Sequence, residues 1–231
     1  MKKYNISFVL PMFNEAGNIE NTIRRIAVLA GRICDDYEIV IVDDASTDGS
    51  GALVDAIAAR DNHVKTFHLK VNTKFGGALK EGLKHASKDA VIYTDSDLPA
   101  REEDMARALE LLNNADIVTA CSLVLKDASL KRIIMSKGYN FLVRLLFGLK
   151  IRDINSGLKI YRREVLEGLD LKSRSPFIDV EIFAEASKRG FKIAQYGLIF
   201  DLRMQGESTI SRISVVARTF WDMIRYKFFN F

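Results

Sequence analysis

The sequence has few of the features that mark secreted, zinc-binding or membrane-spanning proteins. Its two cysteines, Cys34 and Cys121, form no CxxC pair, so we expect a reducing compartment and neither a disulfide framework nor a zinc site. The first residues lack the apolar core of a signal peptide, and no run of eighteen or more apolar residues occurs. We therefore expect no transmembrane helix.

Two common phosphate-binding motifs are also absent. No GxGxxG follows the first apolar run, and neither GKS nor GKT occurs in the chain. These absences argue against a dinucleotide-binding dehydrogenase and against a P-loop NTPase.

Charge is distributed unevenly along the chain. Residues 1–120 carry 14 Lys and Arg against 19 Asp and Glu, whereas residues 121–231 carry 20 against 11. The basic half predicts an anionic partner, such as phosphates, an acidic membrane surface or nucleic acid. A nucleic-acid-binding module would also interleave basic and aromatic residues or show a recognised motif, and we find neither. We therefore predict no nucleic-acid partner.

Apolar runs that alternate with amphipathic segments predict the fold. Such alternation is typical of an α/β protein with a doubly wound, mostly parallel sheet. The predicted strands are residues 6–11, 37–42, 64–69, 91–97, 116–120 and 192–200, with a short strand within 153–162. Predicted helices include residues 78–86, 101–112, 177–189 and 213–231.

The most informative stretch ends the fourth predicted strand. Asp95 and Asp97 stand one residue apart, so they project to the same side of a strand. The carboxyl edge of an open α/β sheet is where ligands bind. Two hard oxygen donors there suit Mg²⁺ or Mn²⁺, which typically bind one or two carboxylates together with substrate phosphates. The alternative is a polar turn after a buried strand.

Polar residues also follow the first two predicted strands, at 11–15 and 43–48. Because the carboxyl ends of parallel strands share one edge of a sheet, we expect these residues to converge on Asp95 and Asp97. Helix capping and solvent exposure are the alternative roles for the acids of the second stretch. Lys74 lies in a glycine-containing loop and either contacts a phosphate or is solvated.

Two segments of the second half combine apolar and basic residues. Residues 129–149 form either one or two core helices with basic edges, or an interfacial helix that inserts apolar side chains into lipid. The tail, residues 221–231, is aromatic and basic, which is typical of a membrane interface. We expect one side of the last helix to carry Val216, Ala217, Phe220, Ile224 and Lys227.

Taken in order, five stretches resemble the family 2 glycosyltransferases of GT-A fold, in the branch that transfers hexoses to dolichol or polyprenol phosphate. The stretches are LPMFNE (10–15), VDDASTDG (42–49), DSDL (95–98), residues 153–161 and GEST (206–209). The resemblance covers nearly the whole chain. It implies a GT-A catalytic domain at 1–210, with a nucleotide-sugar half (1–120) and an acceptor half (121–210), followed by an amphipathic membrane-interface helix at 211–231.

The resemblance also implies roles for individual side chains. Asp95 would contact the nucleotide or the metal, Asp97 the metal, and Arg203 the region of the donor diphosphate. Pro99 stands where the family often has Gln as a third metal ligand, so water or diphosphate would complete the coordination. The nucleotide-sugar candidates are Pro11, Phe13, Glu15 and Asp44 by resemblance, with Asp43 and Lys74 added; the acceptor-phosphate candidates are Arg132 and Ser136.

The reaction implied by the resemblance is transfer of mannose or glucose, with inversion, from a GDP- or UDP-sugar to a polyprenyl phosphate. A phosphate acceptor is already anionic and needs no strong general base. If the acceptor were a sugar hydroxyl, Asp179 or Glu181 would be the base, although Glu181 also suits a helix N-terminus. We expect peripheral attachment to the cytoplasmic face of a membrane. The alternatives are a glycosyltransferase for polysaccharide acceptors and a non-catalytic nucleotide-sugar-binding protein.

Overall fold

The computed structural model describes residues 4–96, 98, 100–123, 130–199 and 213–229, and it leaves out the side chains of residues 130–132 and 213. Its strands are β1 (Ile6–Met12), β2 (Tyr37–Asp43), β3 (Val64–His68), β4 (Ala90–Thr94), β5 (Ile117–Ser122), β6 (Leu158–Arg162) and β7 (Ile193–Leu198). Its helices are α1 (Ile19–Ile33), α2 (Ser50–Ala58), α3 (Phe75–His85), α4 (Glu102–Glu110), α5 (Leu130–Phe147), α6 (Arg163–Leu166), α7 (Ile178–Lys188) and α8 (Ile213–Phe229), and a 3₁₀ turn (Leu111–Asn113) follows α4.

The strands form one sheet in the order β3-β2-β1-β4-β6-β5-β7. Neighbouring strands β3, β2, β1 and β4 run parallel, as do β5 and β7, so the predicted mostly parallel α/β fold is confirmed. The sequence did not indicate that β6 runs antiparallel to both of its neighbours. Because of this direction, Leu158 at the start of β6 pairs with Thr94 at the end of β4. The loop before β6 therefore lies at the same sheet edge as Asp95.

Alternate side chains of the central strands enter two separate cores. On β1, Phe8 and Leu10 pack with residues of α1 and α4, while Val9 packs with residues of α3 and α7 on the other face. This alternation is the period-two geometry of a strand, and it explains why the central strands are almost continuously apolar. The sheet is covered by helices on both faces, which leaves the strand ends for other uses.

Helices α5 and α8 pack side by side over the second core. The rings of Tyr139 and Phe220 lie 6.2 Å apart, and those of Phe147 and Tyr226 lie 5.7 Å apart, so the two helices run in the same direction. Residues 130–147 form one helix rather than two. In the described part of the chain no helix is long and apolar enough to cross a membrane.

The buried side of α8 is not the side that carries Val216, Ala217, Phe220, Ile224 and Lys227. The buried residues are Thr219, Asp222 and Met223, whereas Ile224 is 42% exposed. The polar members of the buried side have partners there: Asp222 Oδ2 accepts a hydrogen bond of 2.9 Å from the Ser173 hydroxyl. Many of the apolar residues of α8 therefore remain at its surface. The exposed apolar residues of the two helices include Ile134, Phe141, Leu145, Trp221, Phe228 and Phe229.

Candidate active site

Hydrogen bonds join the carboxyl ends of β1, β2 and β4. The Asp44 amide donates to the Met12 carbonyl at 2.8 Å, which ties the end of β2 to the end of β1. The Ser96 hydroxyl donates to the Pro11 carbonyl at 2.7 Å, which ties the segment after β4 to β1. The structure thus brings together the three polar stretches that the sequence placed at one sheet edge.

Asp43 and Asp44 are both buried at this edge, with 5% and 3% of their surface exposed. Asp43 accepts a hydrogen bond from the Ser46 amide at 3.0 Å and lies 3.0 Å from Nδ1 of His68. Asp44 Oδ1 accepts hydrogen bonds from the amide and the hydroxyl of Thr73, at 2.6 and 2.8 Å. Burial raises the pKa of Asp44 above its usual value even though Thr73 opposes this shift. Asp44 therefore anchors the loop that leads to Lys74, whose side chain is exposed.

The segment after β1 presents an aromatic ring and a carboxylate beside these acids. Phe13 is 42% exposed, so part of its ring is accessible for contact at this edge. Glu15 is partly buried; its Oε2 accepts a hydrogen bond of 2.7 Å from the Asn18 side chain. Its amide donates to the Ser50 hydroxyl at 2.9 Å. The contacts fix this segment between α1 and α2.

Asp95 follows β4 directly and is partly exposed. Its Oδ1 accepts a hydrogen bond of 2.7 Å from the hydroxyl of Tyr93, a buried residue two positions earlier on β4. Its amide approaches the Gly157 carbonyl at 3.4 Å, which places the loop before β6 next to it. Asp97 lies outside the described residues, as does Pro99, so the structure leaves the prediction for Asp97 untested.

A buried ion pair lies beneath this edge. The ammonium of Lys159 is fully buried, 2.9 Å from Asp179 Oδ2, and donates to the Ser156 carbonyl at 2.6 Å. It also lies 5.0 Å from the centre of the Tyr93 ring. Burial raises the pKa of Asp179 to about 6, against the charge of Lys159 and with the help of negative charge on Asp95. Sequence reasoning missed Lys159, whose only signal was a lysine inside an apolar strand.

Glu181 has a different environment from Asp179. Its two carboxylate oxygens accept hydrogen bonds from the amides of Lys172 and Ser173, at 2.7 and 3.0 Å. Burial raises its pKa while these bonds lower it. The loop held in this way accepts the start of α3: the Gly76 amide donates to the Arg174 carbonyl at 3.0 Å, and a Cβ on Gly76 would lie 2.8 Å from that backbone. Glu181 therefore anchors a loop in this structure.

The other predicted residues are placed only in part. Ser136 is exposed on α5, where its hydroxyl accepts a 3.5 Å hydrogen bond from the Asn140 amide group. The side chain of Arg132 and the whole of Arg203 lie outside the described residues. The acceptor-phosphate assignment therefore stays a prediction.

Among the described residues, Asp95 carries a donor group that a divalent cation shared with substrate phosphates would accept. No group of three His, Cys, Asp or Glu suited to a metal occurs among them, and Asp97 is not part of that set. Asp95 offers a partly exposed carboxylate, and buried Asp179 Oδ1 and Asn155 Oδ1 lack hydrogen-bond partners within the described chain. Carboxylate oxygens are the hard donors that Mg²⁺ and Mn²⁺ take, and these ions complete their shells with phosphate and water. Asp95 supplies one such donor.

A helix-covered, mostly parallel sheet with acids gathered at its carboxyl edge defines an α/β protein with a candidate ligand-binding site at that edge. Residues 7–170 match the profile of the family described as glycosyl transferase family 2. That match covers more than two thirds of the chain, so the protein belongs to family 2 of the glycosyltransferases.

Two curated proteins and one solved structure illustrate what the chain is similar to. Glycosyltransferase AglD of Haloferax volcanii is 29% identical, over 94% of this chain and 37% of its own length. The polyprenol monophosphomannose synthase of Mycolicibacterium smegmatis is 28% identical, over 88% of this chain and 80% of its own. Among solved structures, the mannosyltransferase PcManGT of Pyrobaculum calidifontis, in complex with GDP-Man and Mn²⁺, superposes with a TM-score of 0.70. It is 20% identical, over 97% of this chain and 65% of its own. This chain thus spans about a third of the first relative and most of the second.

Proposed function

We propose that the protein transfers a hexose, mannose or glucose, from a nucleoside diphosphate sugar to a polyprenyl phosphate at a membrane surface. The observation that carries the proposal is the meeting of Asp43, Asp44 and Asp95 at one sheet edge of a family 2 chain. The name of the mycobacterial relative indicates the same acceptor class. The archaeal structure with GDP-Man and Mn²⁺ supports the same donor and metal classes.

The donor would lie across the ends of β1, β2 and β4. Phe13 is exposed and offers a ring face for the base. Pro11, Glu15, Asp43 and Asp44 would hold the base and ribose, since they line the two strand ends that the Asp44–Met12 hydrogen bond joins. Lys74 and Arg203 would neutralise the diphosphate, while Asp95 and Asp97 would hold Mg²⁺ or Mn²⁺.

The reaction needs charge stabilisation more than proton transfer. The bond between the sugar C1 and the diphosphate oxygen breaks, a bond from C1 to an acceptor-phosphate oxygen forms, and the nucleoside diphosphate leaves. When bound, the cation would offset the negative charge on the leaving group. Arg132 and Ser136 would position the acceptor phosphate. The engagement of Asp179 by Lys159 and of Glu181 by two amides supports a mechanism in which neither acts as general base.

The α5–α8 surface would contact the membrane. Trp221 and Phe228 on α8 and Phe141 on α5 are each more than half exposed. Exposed basic residues accompany them, among them Lys137 and Arg144. Apolar side chains that enter the lipid boundary, with cationic groups beside anionic headgroups, are the two components of peripheral membrane binding. Because the inner leaflet is anionic, the cytoplasmic face is the surface we propose.

A transfer assay tests the reaction. The purified chain is incubated with Mn²⁺ and with labelled GDP-mannose or UDP-glucose, and either polyprenyl phosphate in vesicles or a soluble oligosaccharide is the acceptor. We expect label in the lipid fraction with one donor and in neither oligosaccharide sample. Transfer to the oligosaccharide alone would contradict the proposed acceptor, and donor binding without transfer to either would indicate a nucleotide-sugar-binding protein.

Sedimentation with anionic vesicles tests the membrane contact. We expect binding at low salt that weakens at high salt, because surface charges are screened. Trp221→Ser with Phe228→Ser should reduce binding, whereas the control Val28→Ser changes an exposed apolar residue of α1, 52% exposed, and should not. Protein that stays in the supernatant at low salt would contradict the lipid acceptor.

A further inference from the structure

Helix α1 contacts the segment between β4 and α4, residues 95–101, which is called the acidic segment below. The hydroxyl of Thr22, a buried residue, donates to the Ser96 carbonyl at 2.8 Å. One turn later, the Arg25 guanidinium donates to the carbonyls of Leu98 at 3.2 Å and Ala100 at 3.4 Å. Residues three apart lie on the same face of a helix, so the two side chains act on the segment together. Three alternate carbonyls of the segment therefore point at α1.

The same guanidinium also fixes the far end of the segment. Arg25 Nε lies 2.6 Å from Glu102 Oε1, the first residue of α4, and both side chains are about three quarters buried, with 25% and 26% exposed. The hydrogen bond to Arg25 holds the pKa of Glu102 below its usual value, so the pair is ionised at neutral pH. A guanidinium offers several N–H groups in a rigid fork, which a lysine ammonium cannot reproduce.

The segment needs such support because its backbone is strained. Leu98 has φ of +42°, a left-handed conformation that is costly for a residue with a Cβ, and its side chain is buried. Its conformation is therefore maintained by surrounding contacts. These contacts include the hydrogen bonds from Thr22 and Arg25 on one side and the Ser96–Pro11 hydrogen bond on the other. The Leu98 amide also donates to the Asp95 carbonyl at 2.9 Å, and its side chain packs in the first core.

We propose that Thr22 and Arg25 are positioning residues that set the affinity of the acidic segment for a divalent cation with its diphosphate. This inference rests on the proposed function, because it assigns the cation to Asp95. Neither Thr22 nor Arg25 would contact the ligand; they hold the carbonyl groups of Ser96, Leu98 and Ala100, which follow Asp95. Supporting residues of this kind typically alter metal affinity about 10- to 100-fold.

Direct Mn²⁺ binding tests the proposal, with free Mn²⁺ measured by its electron paramagnetic resonance signal in the presence of GDP or UDP. We expect Arg25→Met to raise the Kd of Mn²⁺ about tenfold or more. The matched control is Arg24→Met, which removes the same charge from an exposed neighbour whose guanidinium contacts Asn21. It should change the Kd less than about twofold. Loss of a nearby positive charge alone would strengthen cation binding, so the expected direction is opposite to a simple charge effect.

A second readout separates positioning from general destabilisation. Binding of GDP or UDP in EDTA depends on the base and ribose contacts, and we expect it to be equal in wild type and Arg25→Met. Arg25→Lys should bind Mn²⁺ with an intermediate Kd, because one ammonium replaces only part of the fork. If Arg25→Met does not fold, Thr22→Val removes the Ser96 hydrogen bond at nearly constant volume and should weaken Mn²⁺ binding in the same direction.

Two results would overturn the inference. One is wild-type Mn²⁺ affinity in Arg25→Met, or in Thr22→Val where that variant is used. The other is an equal loss of nucleotide binding with Mn²⁺ and in EDTA, which would show that the contacts only stabilise the fold. A wild-type protein that binds no Mn²⁺ with either nucleotide would instead overturn the proposed function, and this inference with it.

Discussion

Buried carboxylates near the amino ends and the carboxyl ends of the strands have pKa values that are shifted in opposite directions. At the amino end, Glu38 of β2 is 2% exposed and accepts hydrogen bonds from the Ser7 hydroxyl, the Ser87 amide and the Lys65 ammonium, at 2.6, 2.6 and 2.5 Å. Burial opposes ionisation there, but these donors outweigh it and lower the pKa of Glu38 to about 2. At the carboxyl end, burial prevails: it raises the pKa of Asp44 above its usual value and raises the pKa of Asp179 to about 6.

This difference in pKa shift distinguishes carboxylates that stabilise the fold from carboxylates that are available to bind a ligand. A buried carboxylate with a full set of donors stabilises the fold, because its charged form is favoured more strongly in the folded state than in the unfolded chain. Buried acids whose pKa is raised carry a charge that the free protein stabilises poorly, and they are common where a ligand or cation completes the arrangement. The contrast therefore predicts that the acids at the strand ends affect ligand binding and that Glu38 affects stability, whereas Asp179 also affects stability because it is paired with buried Lys159.

The largest effect is expected from Asp97→Asn. Replacement of a proposed metal ligand should lower the transfer rate about 1,000-fold, because the charge on the leaving diphosphate is no longer offset. The melting temperature should stay the same or rise. The control is Asp89→Asn, which precedes β4 at the opposite end of the same strand and should retain activity. Equal activity in Asp97→Asn and Asp89→Asn would contradict the proposal that acids at the carboxyl ends of the strands, unlike those at the amino ends, act in the reaction.

Asp179→Asn should reduce stability by about 3 kcal/mol or more, since it leaves the buried ammonium of Lys159 without a counter-charge. Replacing both partners, as Lys159→Met with Asp179→Leu, should recover most of the loss. Urea unfolding measures both. Folded Asp179→Asn should keep much of its activity if the acceptor is a phosphate, whereas a loss as complete as that of Asp97→Asn would indicate a general base.

Asp179 also predicts a pH dependence. Its folded-state pKa of about 6 is above the value for an unfolded chain, so ionisation costs stability as the pH rises towards and through 6. Stability of the wild type should therefore fall over this range relative to the double variant. Parallel curves of unfolding free energy against pH for the wild type and the double variant would contradict the raised pKa of Asp179.

Glu38→Gln should cost about 2 kcal/mol at pH 7, because donors directed at a carboxylate lose the charge. The pKa of Glu38 is lowered, so its contribution is present above the unfolded value and disappears as the pH falls through about 2. Urea unfolding at pH 7 and pH 3 should show the difference between variant and wild type shrinking at the lower pH. The exposed control Glu110→Gln should match wild type at both.

The smallest effect is expected from His68→Asn. His68 lies between Asp55 and Asp43, at 2.9 and 3.0 Å, and hydrogen bonds to these acids raise its pKa. The stabilisation is complete below the ordinary pKa of histidine and is lost as the pH rises through the raised value. Because His68 is 41% exposed, solvent limits the contribution to less than about 1 kcal/mol. Melting temperatures at pH 6 and pH 9 measure it, and a wild type stabilised at the higher pH would contradict the sign.

The sequence predicts what local pattern determines. Alternating apolar runs predicted the order of strands and helices. The acids that follow three of the strands predicted the candidate site. The antiparallel direction of β6 depends on pairing with β4 far away in the chain, and no local period encodes it. The start of α3 at Phe75, three residues before the predicted one, depends on the close packing of Gly76 against the loop at Arg174.

Supporting residues were missed for the same reason. Arg25 and Leu98 are 73 positions apart, and Lys159 and Asp179 are 20 apart, so their contacts exist only in the folded chain. The apolar residues of α8 likewise have helical spacing, but this spacing does not show which side of the helix packs against the rest of the protein. The sequence pattern identifies acids at a strand end, whereas the side chains that hold these acids in place can be identified only from the folded structure.

The central claim is that acids at the carboxyl edge, together with a divalent cation, hold a nucleoside diphosphate sugar. The most direct test is the melting temperature of the wild type with GDP-mannose or UDP-glucose, each with Mn²⁺ and with EDTA, since a bound ligand raises apparent stability. The account predicts a rise with one of the two sugars that is larger with Mn²⁺ and is lost in Asp97→Asn. No rise with either sugar, whatever ion is supplied, would contradict it.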